Sequence, residues 1–359
     1  MHFDDLITSI PGIGPKKAKL LSDAGYCTLE DLHTAEFFEL TKVPGIGYKI
    51  TCNLFSYIGK EQTYPTMIEV TSEQEKEFVT IENKKIYSWE HYKKPDEIKM
   101  QPKDFELERT TVWSFSERGD WSTHTPHYRG NWSPKVVRNI IERYSKPFDF
   151  VLDPMVGGGT TPVECILTGR NSISIDINPD SILLTRNRLN VPQKELLPKT
   201  IHKTFVGDTR NLDRIPDSSI DLIAAHPPYV NIIRYSRSVD GDLSQIGDYK
   251  LFFKEFKKAI KEYYRILKPG CVCAVLIGDT HNRGHFVPIT SKMLIEFLEE
   301  GFILKEDVIK REWNCESDRY LKKYANSDFL LTMHEHLFIF RKPANNSENY
   351  KNSSISFFK

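Results

Sequence analysis

Two stretches of this chain join residue types that can do chemistry. The first is Phe150-Val151-Leu152-Asp153-Pro154-Met155-Val156-Gly157-Gly158-Gly159-Thr160-Thr161, an apolar run that opens into a glycine turn. The second, His226-Pro227-Pro228-Tyr229, ends the apolar run Ile220-Asp221-Leu222-Ile223-Ala224-Ala225 in a stiff Pro-Pro-aromatic corner. Together they read as a nucleoside cofactor site beside a pocket for a planar, amine-bearing ring. Asp176 and Asp208 also close short apolar runs.

These residues need a scaffold, and the pattern from residue 134 onward supplies one. Helices are expected over 134–144, 161–168, 179–189, 249–267 and 289–300. Strands are expected over 150–152, 172–175, 204–206, 221–225, 272–277, 303–308 and 337–340. Pro134 can open a helix, Gly169 and Gly301 can close one, and Lys268-Pro269-Gly270 should break the long one. Such alternation argues an α/β fold, a doubly wound and mostly parallel sheet with helices on both faces. The last two strands lack a helix between them, so the edge should hold an antiparallel pair. Ligands of such sheets bind beyond the carboxyl ends of the strands, at the switch point. Asp153, Asp176, Asp208 and His226 all fall at or just past such ends. A single acid there is usually a helix cap or a solvated turn; three, with the glycine turn, argue for one composite site.

The chain has 359 residues, enough for two or three domains. Its 49 basic and 49 acidic residues cancel, so bulk charge announces no nucleic-acid partner, and any such contact must come from local patches. No apolar run is long enough for a membrane span, and the N-terminus lacks the features of a signal peptide. A cytoplasmic location follows by default. The spacing of the six cysteines matches no zinc pattern, and they read as buried reduced thiols, with Cys271 and Cys273 on one strand face. His334 and His336 imitate a metal pair but lack a third ligand nearby, so no metal is expected.

Residues 1–60 hold a repeat. Ile10-Pro11-Gly12-Ile13-Gly14-Pro15-Lys16-Lys17 returns as Val43-Pro44-Gly45-Ile46-Gly47-Tyr48-Lys49-Ile50, each copy lying between helical stretches. The glycines permit a tight turn, and the helix that follows begins with exposed N–H groups suited to a phosphate. The copies resemble the tandem helix-hairpin-helix domain of DNA-binding and repair proteins. That resemblance implies DNA contacts from Gly12, Gly14, Lys16, Lys17, Gly45, Gly47 and Lys49; a packing or protein-binding unit is the alternative. Residues 61–108 read as a polar linker or accessory segment, 109–343 as the α/β domain and 344–359 as a flexible tail.

The glycine turn and the Pro-Pro-Tyr corner resemble the signature motifs of S-adenosylmethionine-dependent DNA amino-methyltransferases, whose fold is Rossmann-like. The resemblance covers about residues 110–343 and implies S-adenosylmethionine as cofactor. By it, Asp153, Pro154, Gly157, Gly159 and Thr160 match the loop around the methionine part. Asp176 matches the acid on the ribose hydroxyls and Asp208 the residue near the adenine amine. Trp132, Ser133 and Pro134, after Asn131, look like the segment over the methionine end. Met155 stands where the family commonly has Phe. His226-Pro227-Pro228-Tyr229 matches the catalytic tetrapeptide, which usually begins with Asp or Asn for adenine N6 and with Ser or Thr for cytosine N4. His is neither, and cytosine N4 is preferred here. Trp113-Ser114-Phe115-Ser116-Glu117-Arg118-Gly119-Asp120-Trp121 and Ile277-Gly278-Asp279-Thr280 also look like stretches of a prokaryotic subgroup of DNA methylases.

An exocyclic amine is a poor nucleophile because its lone pair is conjugated with the ring. Acceptors aimed at its N–H groups favour the pyramidal geometry of attack. The Pro227 carbonyl, held by two prolines, and a ring nitrogen of His226 are the candidates. Tyr229 offers a face for a flipped base, and a neutral His226 can take the proton released. The alternative is that His226 only orients Tyr229. Arg129, Lys135, Arg138, Arg143 and Lys146, with Trp121, Tyr128 and Trp132, suggest a nucleic-acid track. Arg234, Tyr235 and Arg237, and Trp313, Arg319, Tyr320, Lys322 and Lys323, mark candidate recognition loops. The expected partner is DNA ahead of RNA, with a cognate restriction endonuclease as a possible second. A non-catalytic DNA-binding protein is the reading from another class.

Overall fold

A computed structural model describes residues 3–60, 64–71, 78–230, 233, 235–236, 239–282, 285–313 and 328–345. The chain opens with five short helices, α1 (Phe3–Ile7), α2 (Pro15–Asp23), α3 (Leu29–Thr34), α4 (Phe37–Lys42) and α5 (Tyr48–Tyr57). They share a local core around Ile10, Leu21, Leu40, Ile46 and Leu54. The repeated turns precede α2 and α5. Gly12 and Gly45 hold φ of +88° and +86°, where glycine is needed. Gly14 and Gly47 are extended N-caps instead, with open space where a Cβ would stand. The second glycine of each copy thus leaves the first helical N–H groups uncovered rather than making the turn.

Strands follow where a linker was expected. β1 (Ile68–Glu69) joins the main sheet, and β2 (Phe78–Ile81) and β3 (Lys84–Tyr87) form a hairpin. Its turn residues Glu82 and Asn83 both have positive φ, the two-residue turn whose twist suits a hairpin. Val79, Ile81 and Ile86 pack on Tyr128 and Leu184. β4 (Val112–Ser114) is a second short addition to the main sheet.

The main fold alternates as its pattern predicts: α6 (Pro134–Tyr144), β5 (Phe150–Asp153), α7 (Thr160–Thr168), β6 (Asn171–Asp176), α8 (Pro179–Arg188), β7 (His202–Val206), β8 (Ile220–Ala225) and α9 (Tyr249–Ile266). Then come β9 (Leu267–Ile277), a small hairpin of β10 (Thr280–Asn282) and β11 (His285–Val287), α10 (Ile289–Glu300), β12 (Ile303–Arg311) and β13 (His334–Arg341). The nine-stranded sheet runs β1-β7-β6-β5-β8-β9-β13-β12-β4. Strands β5 to β9 are parallel, while β13 is antiparallel to both β9 and β12. The antiparallel pair is there, with β13 inserted between β9 and β12.

Alternate strand residues feed two cores. Leu222 and Ala224 face Val136, Val137, Ile140 and Ile141 of α6. Ile223 and Ala225 face the side covered by Phe252 and Phe256 of α9 and Phe297 of α10. Cys271 and Cys273 share that second side, and Cys165 and Cys273 are buried, but Cys27 is exposed, contrary to the sequence expectation. β9 starts earlier than expected. Gly270 donates its N–H to Lys342, and Lys342 donates back to Cys271, so pairing carries the strand through Pro269-Gly270. The chain leaves β5 for β6 on one side and reaches β8 on the other, which makes the β5–β8 gap the switch point.

Candidate active site

Loop geometry at the β5 tip follows from its neighbours. Val156 N–H donates to Ile175 O and Gly157 N–H donates to Asp176 Oδ2, both at 2.9 Å, so the turn is laced to the end of β6. Gly157 and Gly159 take φ of +51° and +80°. A Cβ on Gly157 would stand 2.9 Å from the Tyr128 ring, and one on Gly158 would stand 2.6 Å from Arg188 Nη1. Packing thus demands glycine there as much as conformation does. Asp153 is buried below the turn and accepts from the Thr161 hydroxyl and from Met155 N–H. Burial pushes its carboxyl up to about 7, against the pull of those hydrogen bonds.

Asp176, half-buried, has a similar number of partners. It accepts from the N–H groups of Gly157 and Asn178, and no ion pair reaches it among the described residues. Burial raises it to about 7. Asn178 then caps α8 by accepting from Asp180 N–H, and Pro179 opens the helix. Asp208 differs: Arg210 donates to both of its oxygens, at 2.9 and 2.6 Å, and also to Glu255 at 3.0 Å.

Asn131 gathers the far rim. Its amide nitrogen donates to Thr160 Oγ1 at 2.5 Å, and its oxygen accepts from Arg118 at 2.8 Å and Arg188 at 3.2 Å. Ser133 caps α6 by accepting from Lys135 N–H, and Pro134 is its first residue. At the tip of β8, Val230 is forced to a φ of +56°, an uncommon strain for a β-branched residue, while its N–H donates to Pro228 O. His226 packs on Trp132 with ring centroids 5.5 Å apart, and its Nε2 lies 2.8 Å from Tyr229 Oη. Burial lowers its pKa to about 4, so the ring is neutral at pH 7.

One cavity unites these parts. Trp132, Pro154, Gly157, Asp176, Asp208, His226 and Pro228 all line it. Asp153, Ser133, Pro134, Gly159, Thr160, Pro227 and Tyr229 do not; Tyr229 turns its hydroxyl to Glu335 rather than its face to the cavity. Sequence reasoning missed Asn178, Thr209, Asp242 and Leu243 in the wall. Asn178-Pro179 was a legible capping pair; the others carry no local signal.

A family model described as DNA methylase matches residues 50–186 and 220–357, well over half of the chain. The chain belongs to this DNA methylase family. A second model, SAM-like Helix-hairpin-helix tandem, matches residues 3–51. Type II methyltransferase M.MjaII of Methanocaldococcus jannaschii is 30% identical over 148 residues, 38% of this chain and 28% of that protein. DNA adenine methyltransferase YhdJ of Escherichia coli is 29% identical over 126 residues, 34% of this chain and 42% of that protein. The chain thus spans less than half the length of either relative. A solved SAM-dependent methyltransferase from Methanosarcina mazei superposes with a TM-score of 0.41 at 17% identity, over 57% of this chain and 98% of that one.

The methyl donor of such methylases is S-adenosylmethionine, and the residues present fit it. The backbone of Gly157 and Gly158 walls the cavity directly, and Asp176 keeps lone pairs beyond its two backbone hydrogen bonds beside an apolar wall of Ile177 and Leu243.

The DNA-facing expectations fare unevenly. Lys16 is exposed, Lys17 donates to Gly12 O at 2.8 Å, and Lys49 pairs with Asp248 at the start of α9, at 2.7 Å. The basic track does not stand as expected. Arg138 is buried and donates to Glu164, against Trp121, and Arg143 donates to Glu108 O. Tyr128, Trp121 and Trp132 are buried as well. Arg129 stays exposed beside Glu82. Tyr235 lines the cavity and stacks on Tyr128, while Arg234, Arg237, Arg319, Tyr320, Lys322 and Lys323 lie outside the described residues. Trp313 donates to Ser114 and lies under the Arg311 guanidinium. His336 pairs with Asp307 across β12 and β13. Among the described residues no group of His, Cys, Asp and Glu is placed to hold a metal ion, and no helix is long and apolar enough to cross a membrane.

Proposed function

We propose that this chain transfers a methyl group from S-adenosylmethionine to an exocyclic amine of a base in DNA, with cytosine N4 ahead of adenine N6. The supporting observation is that the Gly157 turn and the corner residues His226 and Pro228 wall a single cavity at the sheet's switch point. When bound, S-adenosylmethionine supplies an electrophilic sulfonium methyl. Asp176 holds its ribose hydroxyls, Asp208 lies near its adenine, and the loop of Asp153, Pro154, Gly157, Gly159 and Thr160 shapes the methionine end with Trp132, Ser133 and Pro134. The Pro227 carbonyl and the neutral His226 ring accept from the amine's N–H groups, and His226 then takes a proton. Gly12, Gly14, Lys16, Lys17, Gly45, Gly47 and Lys49 form the phosphate-facing turns of residues 1–60.

Cytosine is preferred because the tetrapeptide lacks the Asp or Asn that goes with adenine. Adenine N6 is the second reading, favoured by the likeness to a protein named as a DNA adenine methyltransferase. We place this activity in a cytoplasmic restriction-modification setting with a cognate endonuclease, a reading supported by relatives named as Type II methyltransferases. The test is incubation with labelled S-adenosylmethionine and separate DNA and RNA pools, followed by nucleoside mass spectrometry. N4-methylcytosine in DNA is expected. N6-methyladenine would reassign the base, label in RNA alone would reassign the polymer, and label in neither would end the proposal.

A further inference from the structure

Behind the cavity wall lies a buried ionic group that the transfer reading does not use. Glu335 on β13 is 6% exposed, yet it is a carboxylate. Lys310, its cross-strand partner on β12, donates to Oε2 at 2.6 Å. The Tyr229 hydroxyl donates to Oε1, and His226 Nε2 lies 4.0 Å from that same oxygen. Burial pushes the Glu335 carboxyl up, but the Lys310 charge and the hydrogen bonds from Lys310 and Tyr229 pull the other way, and it sits below the ordinary carboxylate value. Glu335 is therefore ionised and can only accept.

The direction of every proton in the chain follows from that charge. Since Tyr229 gives its only proton to Glu335, its oxygen must accept from His226 Nε2, 2.8 Å away. A neutral imidazole with its proton on Nε2 has a bare lone pair on Nδ1. Among the described residues Nδ1 has no hydrogen-bond partner, and His226 lines the cavity. We infer that Glu335, acting through the Tyr229 hydroxyl, locks His226 in the Nε2–H tautomer and so presents Nδ1 as the acceptor for the amine of the target base; the use of that acceptor rests on the transfer reading above. Glu335 and Lys310 are positioning residues, since neither lines the cavity.

Glu335→Gln tests the relay with almost no change of shape. Lys310 is a charged donor and will claim the amide oxygen, leaving the NH₂ group to face Tyr229. The tyrosine oxygen then accepts from Gln, its proton turns to His226 Nε2, and the imidazole proton must move to Nδ1. Long-range ¹H–¹⁵N spectra of protein with labelled histidines read the tautomer directly, without cofactor or DNA. A His226→Asn spectrum assigns the signal among the 11 histidines. The expected result is Nε2–H in the native protein and Nδ1–H in Glu335→Gln, with kcat lowered on the order of 10²-fold, as for loss of a positioned acceptor, and the Kd for S-adenosylmethionine unchanged. Tyr229→Phe, which cuts the relay without touching the ion pair, should leave a mixture of tautomers and serves where Glu335→Gln does not fold. Nε2–H retained in a folded variant, or Nδ1–H in the native protein, overturns the relay. A flipped tautomer with unchanged kcat overturns its use in transfer. A native protein that methylates no base at all sinks the transfer reading alone, because the spectra still decide the tautomer.

Discussion

Asp176 shows how one residue can set a measurable pH dependence. It is half-buried in the cavity wall, takes two backbone hydrogen bonds and has no ion pair among the described residues, and the loss of water around it raises its carboxyl from 3.8 to about 7. Ribose hydroxyls bind best to the ionised form. Affinity for S-adenosylmethionine should therefore be complete above pH 7 and fall as pH drops through it, by at most about tenfold per unit. Asp176→Ala should cost about 2–3 kcal/mol, the worth of hydrogen bonds to a charged acceptor, or roughly 30- to 150-fold in Kd. Asp153 rises to about 7 as well but does not line the cavity. Asp176→Asn separates the two acids: it should weaken binding and flatten the pH dependence, whereas a slope that survives would belong to Asp153. Titration calorimetry across this range decides, and a native Kd indifferent to pH would remove Asp176 from the cofactor.

At the scale of elements, the corner after β8 depends on the end of β9. A Cβ on Gly278 would lie 2.8 Å from Tyr229 Cε2, on a ring already tied by its hydroxyl to Glu335. Gly278→Ala should push that ring aside and pull His226 with it. The expected result is a single-turnover rate at least tenfold lower, a stability loss of about 1–3 kcal/mol for the overpacking, and cofactor affinity within about twofold. An unchanged rate would show that the corner is held from elsewhere. The elements bearing this corner were legible because each carries its own local signals: Ser133-Pro134 before α6, Asn178-Pro179 before α8, Gly169 after α7 and Gly301 after α10. β1 and β4 were not, since they are two and three residues long and leave Ile68 and Val112 more than half exposed, with no alternation to read. Only pairing with the main sheet makes them strands.

Across the whole molecule, what escaped the sequence is what the topology brings together. Glu335 stands 106 residues from Tyr229 and meets it only because β13 inserts beside β9. In the same way the repeat of residues 1–60 was plain, but its docking was not. The second turn lies against the start of α9, where Asp248 caps the helix through one oxygen and accepts from Lys49 through the other. The pair is exposed, at 64% and 39%, so water and salt screen it and it adds little to stability. It does compete with a phosphate for Lys49. Asp248→Asn keeps an oxygen for the Leu251 N–H while removing the charge. DNA affinity at low salt should then rise by up to about fivefold, the range of an exposed pair. The plot of log affinity against log salt should steepen by about one counterion, because Lys49 is released to a phosphate. Lys49→Ala should do the reverse, and the double variant should match it, since the acid acts only through the lysine. If Asp248→Asn changes neither affinity nor slope while Lys16 and Lys17 variants do, DNA is held by the first turn, and the second serves to fasten residues 1–60 to the methylase fold.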